Sequence, residues 1–276
     1  MSKNTSLFEL FEYCKITSKH MSCWIFILLS GVSNTYANPG SLADIVEESS
    51  KAVVQIQTKR EGYQSGIPPY DAFNQKKRHR GYSPHFGQEH SPNRGAPGMG
   101  IGSGFLISAD GLIVTNAHVI AGTEKLEVID FNGGRSTTYP INADFKTDLA
   151  LLKGPDLAVT PLQVAEPKEN QRGSILVGSQ GLVETIPVTL LRLLNIVIAD
   201  IYGEGKHTRS GLELSADVAA GDSGGPIINA KGQVIGLVFS RSTIQSEISY
   251  GISSTEFLAV TQGYDLSGVS TGKCRD

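Results

Sequence analysis

From Gly100 onward, short apolar runs recur between turn signals, at residues 104–108, 112–115, 126–131, 149–152, 175–177 and 234–239. Runs this short point to a barrel or sandwich of strands and away from βαβ units. Ala109-Asp110-Gly111 and Asn132-Gly133-Gly134 are hairpin turns by composition. The chain holds 31 glycines in 276 residues, and only 18% of its residues are charged. Average domains carry about 7% glycine and about 25% charge. A chain this rich in turn residues and this low in charge buries a core through short strands, and glycine shows no collagen-like period. Disorder and collagen are both excluded. The net charge of −3 gives no reason to expect nucleic acid or an anionic membrane as partner.

The flanks read differently. Lys15, Lys19 and His20 precede the apolar run Trp24-Ile-Phe-Ile-Leu-Leu29, and Thr35-Tyr36-Ala37 offers small residues at a cleavage site. That order marks residues 1–37 as a secretory signal peptide, with an uncleaved anchor as the alternative. Of Cys14, Cys23 and Cys274, only Cys274 would survive cleavage, so no internal disulfide is expected. Residues 41–48 read as a short helix capped by Ser41 with Asp44 three residues on, and 53–58 as a strand. Residues 60–99, dense in proline, glycine and basic side chains, read as a long surface loop. The apolar stretch 186–201 fits either a helix or a strand pair. A C-terminal helix is expected from Leu258 to Gln262, with 263–276 as a tail.

The chemistry concentrates at Gly221-Asp222-Ser223-Gly224-Gly225-Pro226. A serine hydroxyl is a weak nucleophile until a base takes its proton and donors stabilise the oxyanion. Flanking glycines let backbone N–H groups converge there without obstruction. Gly-x-Ser-x-Gly also fits the nucleophile elbow of α/β-hydrolases, but that fold needs a histidine after the serine, and none follows Ser223. The order His…Asp…Ser remains. His118 ends a strand-like run and would accept the serine proton; Asp148, 30 residues later, would fix its tautomer and stabilise the imidazolium. A lone histidine beside a strand is ordinarily a satisfied core residue. Three elements in the right order, each in its own context, outweigh that reading.

At these residues the chain resembles the HtrA (Deg) serine proteases of the trypsin-like superfamily. Gly102-Ser-Gly-Phe-Leu-Ile-Ser-Ala-Asp-Gly-Leu-Ile-Val-Thr-Asn-Ala-His118-Val-Ile looks like that family's histidine region, and Thr147-Asp148-Leu-Ala-Leu-Leu and Gly221-Asp-Ser-Gly-Gly are similar to its other two motifs. The resemblance covers residues 41–262. It implies an all-β fold of two perpendicular six-stranded barrels, with a short N-terminal and a C-terminal helix, forming a protease domain over 38–262. It also implies a His118–Asp148–Ser223 triad between the barrels and hydrolysis of peptide bonds, in unfolded proteins, through an acyl-enzyme. Backbone N–H groups of Gly221 and Ser223 would form the oxyanion hole. Partners would be protein or peptide substrates, and a homo-oligomer, a trimer, is hinted.

The departures are specific. HtrA proteins usually append PDZ domains, for which too few residues follow Gln262. Asp222 stands where the family commonly has asparagine; digestive trypsin-like enzymes pair that aspartate with a new N-terminus, so Asp222 must find another partner here. Gly178-Ser179-Gln180-Gly181 replaces the family's Gly-Asn-Pro-Phe-Gly element. In trypsin-like enzymes the sixth residue before the serine lies at the floor of the specificity pocket. Here it is Asp217, with Gly251 as a small wall residue and Arg241 near the opposite wall. A buried Asp217 would favour Lys or Arg at the cleaved position, a solvent-exposed one would not. Glutamate-specific enzymes carry a histidine where this chain has Val238. The rival of another class is a chaperone-like binder that cleaves poorly or never, which loss of a triad member would favour. No phosphate-loop, HExxH or EF-hand pattern is present, and neither cofactor nor metal is inferred.

Overall fold

The computed structural model describes residues 41–60 and 98–273. The signal-peptide reading of 1–37, nearly all of the 60–99 loop and Cys274 lie outside the described residues. Helix α1 (Leu42–Ser50) starts where its own side chains dictate. Ser41 Oγ accepts from Asp44 N at 3.2 Å, and Asp44 Oδ2 accepts from Ser41 N at 2.7 Å. This reciprocal capping box satisfies donors that a helix start otherwise leaves open.

Two antiparallel barrels follow. Strands β1 (Val53–Lys59), β2 (Met99–Leu106), β3 (Leu112–Thr115), β4 (Lys125–Ile129), β5 (Arg135–Asp144) and β6 (Leu149–Lys153) close in the order β1-β2-β3-β6-β5-β4. Strands β7 (Arg172–Ser179), β8 (Leu182–Ile198), β9 (His207–Ser215), β10 (Pro226–Asn229), β11 (Val234–Arg241) and β12 (Ile248–Ser253) close in the order β10-β11-β12-β9-β8-β7. A helical turn, α2 (Ala117–Ile120), sits between β3 and β4; a 3-10 turn (Ser254–Phe257) leads into α3 (Leu258–Thr261). The all-β double barrel is the architecture the sequence implied. Both expected hairpin turns are present, with Gly111 and Gly133 each at φ 83°, a backbone region that glycine enters without penalty.

The cores explain the patterning. Phe105, Ile113, Leu149, Leu151 and Leu152 fill the first barrel, joined by Leu237, Ile252 and Phe257 from the C-terminal half. Ile175, Leu212, Leu214, Ile227 and Val238 fill the second. Strand β1 is buried on both faces from Val53 through Thr58, because it also meets β7 of the other barrel. At Gly178 a Cβ would lie 2.5 Å from Gln55 N and from the Val54 carbonyl carbon. Only glycine permits that backbone approach.

The 186–201 stretch is neither a helix nor a strand pair. Up to Ile198 it is part of one 17-residue strand, β8, and the rest enters the following turn. β8 pairs β7 up to Thr189 and β9 from Thr189 to Ile198, with a register shift between Leu190 and Arg192. Its apolar excess reflects two successive partners and an end that leaves Leu193 and Val197 exposed. The β8–β9 turn reaches the first barrel: Ile201 N donates to Phe145 O at 3.2 Å, and the Phe145 and Tyr202 rings pack 5.4 Å apart. Beyond α3 the tail follows the first barrel. Val269 N donates to Pro140 O at 2.8 Å and Gly122 N to Thr271 O at 3.1 Å. Among the described residues, no helix is long and apolar enough to cross a membrane.

Candidate active site

The histidine and the aspartate are held by adjacent connections of the first barrel. Strand β3 ends at Thr115, and Asn116 is still extended before the α2 turn, whose Ala117, Val119 and Ile120 are buried and leave His118 half-buried. Asp148 closes the turn from β5 into β6 at φ 62° and is 3% exposed. Its carboxylate grips His118 at two points: Oδ1 accepts from the His118 backbone N at 2.8 Å, and Oδ2 lies 2.7 Å from Nδ1. The Asp148 carbonyl accepts from Asn116 Nδ2 at 2.9 Å and from Ala117 N at 3.2 Å. These bonds hold Asp148 in a left-handed conformation that costs a non-glycine residue of order 1 kcal/mol.

Protonation follows from the geometry. Burial alone would raise the Asp148 carboxyl. The charge and hydrogen bond of His118, the charge of Arg209 and the His118 backbone N–H outweigh it and hold the group below the ordinary carboxylate range. An ionised carboxylate only accepts, so Nδ1 carries the imidazole proton and Nε2 is left as an acceptor.

Ser223 comes from the second barrel and is tied to the first. Ser223 O accepts from Ser103 N at 2.8 Å, Ser103 O accepts from Thr115 Oγ1 at 2.7 Å, and Ser103 Oγ accepts from Gly178 N at 3.1 Å. At Gly102 a Cβ would lie 2.7 Å from the Val119 side chain and 3.3 Å from Ser223 O. The serine loop therefore abuts the turn that carries His118. Gly224 N donates to Val238 O at 2.9 Å and Val238 N to Gly225 O at 3.0 Å, which pins the loop to β11. Among the described residues, no hydrogen bond joins Ser223 Oγ to His118, and neither Gly221 N nor Ser223 N donates to a protein acceptor. Gly221 stands at φ 98°.

Asp222 finds the internal partner its sequence position called for. Its Oδ2 accepts from Ala219 N at 2.7 Å, while Asp222 N donates to Ala219 O at 3.1 Å. The buried carboxylate thus staples the turn that precedes Ser223.

Of the two readings of Asp217, the structure has the exposed side chain. Ala216 and Val218 are in the second barrel's core, so Asp217 between them points outward and is exposed. No ion pair joins it to Arg241 among the described residues, and Arg241 is itself exposed. Gly251 is buried, but a Cβ there would meet Ile227 Cδ1 at 2.7 Å and Leu237 O at 3.0 Å. Its small size leaves room for the barrel interior.

Sequence reasoning missed Asn116, Ser103 and Arg209. Ser103 and Asn116 lie inside the histidine motif and were legible as part of it, though not by role. Arg209, in a stretch of polar residues, carries no signal of its own in the sequence.

Comparison with known proteins agrees with this architecture. Residues 102–237 match the Trypsin-like peptidase domain family. The chain is 30% identical to the putative serine protease HhoB of Synechocystis over 199 residues, covering 71% of this chain and 46% of that protein. It is 30% identical over 257 residues to a probable periplasmic serine endoprotease, DegP-like, of Halomonas elongata, covering 85% and 52%. Among solved structures, the active form of the Rv3671c protease of M. tuberculosis superposes with a TM-score of 0.66 at 26% identity, covering 84% of this chain and 89% of that one.

Two barrels, a histidine–aspartate pair in one and a glycine-flanked serine from the other define a serine-protease fold. The chain belongs to the trypsin-like peptidase family and is related to HtrA/DegP-like serine proteases. It spans about half the length of the curated relatives it matches.

Proposed function

We propose that this protein hydrolyses peptide bonds through an acyl-enzyme on Ser223, with His118 as general base and Asp148 as its orienting partner. The observation that carries this reading is the two-point grip of Asp148 on His118, which leaves Nε2 as the acceptor a base requires. Ser223 Oγ attacks the scissile carbonyl and gives its proton to Nε2. The imidazolium, stabilised by Asp148, then passes that proton to the departing amine, and water repeats the sequence to release the acyl group. The Gly221 and Ser223 N–H groups are the donors for the oxyanion.

The substrates we assign are unfolded proteins. The compartment is outside the cytoplasm, periplasmic or secreted, after removal of residues 1–37; the periplasmic DegP-like relatives support this. Self-assembly is part of the same family-based reading. A fluorophosphonate probe on the purified protein tests the chemistry. Wild type labels and degrades casein; Ser223→Ala does neither while keeping its fold by circular dichroism. Equal casein turnover by the two would refute the assignment.

A further inference from the structure

Arg209 lies on β9 of the second barrel, yet its side chain crosses to the turn of the first that carries Asp148. It is 4% exposed. Nη1 donates to Thr147 O at 2.8 Å, on the residue immediately before Asp148, and the guanidinium carbon stands 4.5 Å over the Phe239 ring of β11. Nε is buried without a hydrogen-bond partner. Burial lowers the pKa of the guanidinium, while Asp148, Glu256 and Asp144 push it back up. Each of these carboxylates already has a partner of its own, Asp148 in His118. Asp144 Oδ2 accepts from Thr147 Oγ1 at 2.8 Å, and Glu256 Oε1 accepts from Ser210 N at 2.7 Å. A buried guanidinium with an unsatisfied Nε costs free energy that neutral packing would avoid. An isosteric apolar side chain would fill the space on Phe239 more cheaply, so the charge calls for a reason besides packing.

We infer that Arg209 is a positioning residue for the His118–Asp148 pair: it fixes the Thr147–Asp148 turn from across the barrel interface and supplies the positive charge that keeps the pair poised as base. The inference rests on the function proposed above and names the residue that tunes that site. Asp148 faces three cationic or donor groups from different elements: His118 from α2, the Asn116 amide from the end of β3 and Arg209 from β9. Asn116 and the backbone of α2 set its position from one side. Arg209 sets it from the other, and among these groups it holds a full charge at every working pH.

Three proteins decide it: wild type, Arg209→Met and Arg209→Lys. Methionine keeps an apolar stem on Phe239 and loses both donor and charge; lysine keeps the charge but not the planar fork. For Arg209→Met we expect kcat on a peptide substrate to fall about 10- to 100-fold with KM nearly unchanged, the size of effect a small misplacement of a catalytic group produces. The acidic limb of kcat/KM should move up by about one pH unit, because one positive charge no longer faces the pair. Arg209→Lys should return the limb to its wild-type position while recovering kcat only in part. The low-field proton resonance of the His118 Nδ1–H···Asp148 bond should shift in Arg209→Met and return toward wild type in Arg209→Lys. That resonance needs no turnover, so it judges Arg209 even if Ser223→Ala were to leave casein cleavage intact and the proposed function fell. A folded Arg209→Met that melts lower but keeps its pH limb and its resonance would make Arg209 a structural residue only and overturn the inference. Should Arg209→Met not fold, Arg209→Lys with wild-type kcat would overturn it equally.

Discussion

Replacing Gly224 by alanine places a methyl group where the two barrels meet at the nucleophile. Gly224 stands at φ 84°, and its Cβ would lie 2.1 Å from Ser103 O and 2.5 Å from Thr115 Oγ1. The left-handed backbone costs an alanine about 1–2 kcal/mol. The overlap involves a backbone carbonyl, which cannot swing aside as a flexible side chain would, and overpacking of this kind adds about 1–3 kcal/mol. The sum, about 2–5 kcal/mol, corresponds to roughly 5–15 °C in melting temperature for a domain of this size. Gly221→Ala is the matched control. Its φ is 98°, but nothing lies within 4 Å of its Cβ, so only the backbone cost of about 1–2 kcal/mol applies. Thermal and urea unfolding of both variants measure the difference, and fluorophosphonate labelling follows the site. Relief of the clash must push Ser103 away, and Ser103 N holds Ser223 O. Gly224→Ala should therefore also label more slowly per folded molecule. Equal destabilisation of the two variants, or a Gly224→Ala shift under about 2 °C, would refute the steric argument.

Three further outcomes follow from the site. Asp148→Asn should lower kcat on the order of ten-thousandfold by reversing the histidine tautomer, measured on a peptide substrate beside the unchanged fold. The same variant has a pH signature. Because the folded Asp148 carboxyl lies below its ordinary value, its stabilisation is complete above the unfolded value of about 3.9 and is lost as pH falls through the lower folded value. Wild type should thus lose more melting temperature between pH 5 and pH 2 than Asp148→Asn does. Asp217→Ser should leave the cleavage preference in a peptide library unchanged, since an exposed carboxylate cannot select Lys or Arg through a desolvated contact; loss of a preference for basic residues would reverse that conclusion.

What the sequence determined by itself is local or ordered along the chain. The Ser41–Asp44 capping box, the glycine turns at 111 and 133 and the alternation of β-strands depend on neighbours a few residues apart, so their signals survive without a fold. The order His118, Asp148, Ser223 excluded the α/β-hydrolase elbow for the same reason, since chain order needs no coordinates. Tertiary structure alone decided the rest. Asp217 points outward because its flanking Ala216 and Val218 are claimed by the second barrel's core. Residues 186–198 became part of one long strand because β7 and β9 offer it partners in succession. Gly178 is glycine because a strand of the other barrel presses on its backbone. Arg209 meets Thr147 across 62 residues of sequence. Nothing in the residues around Arg209 announces that meeting, because burial and charge pairing arise only when two closed barrels bring distant strands together.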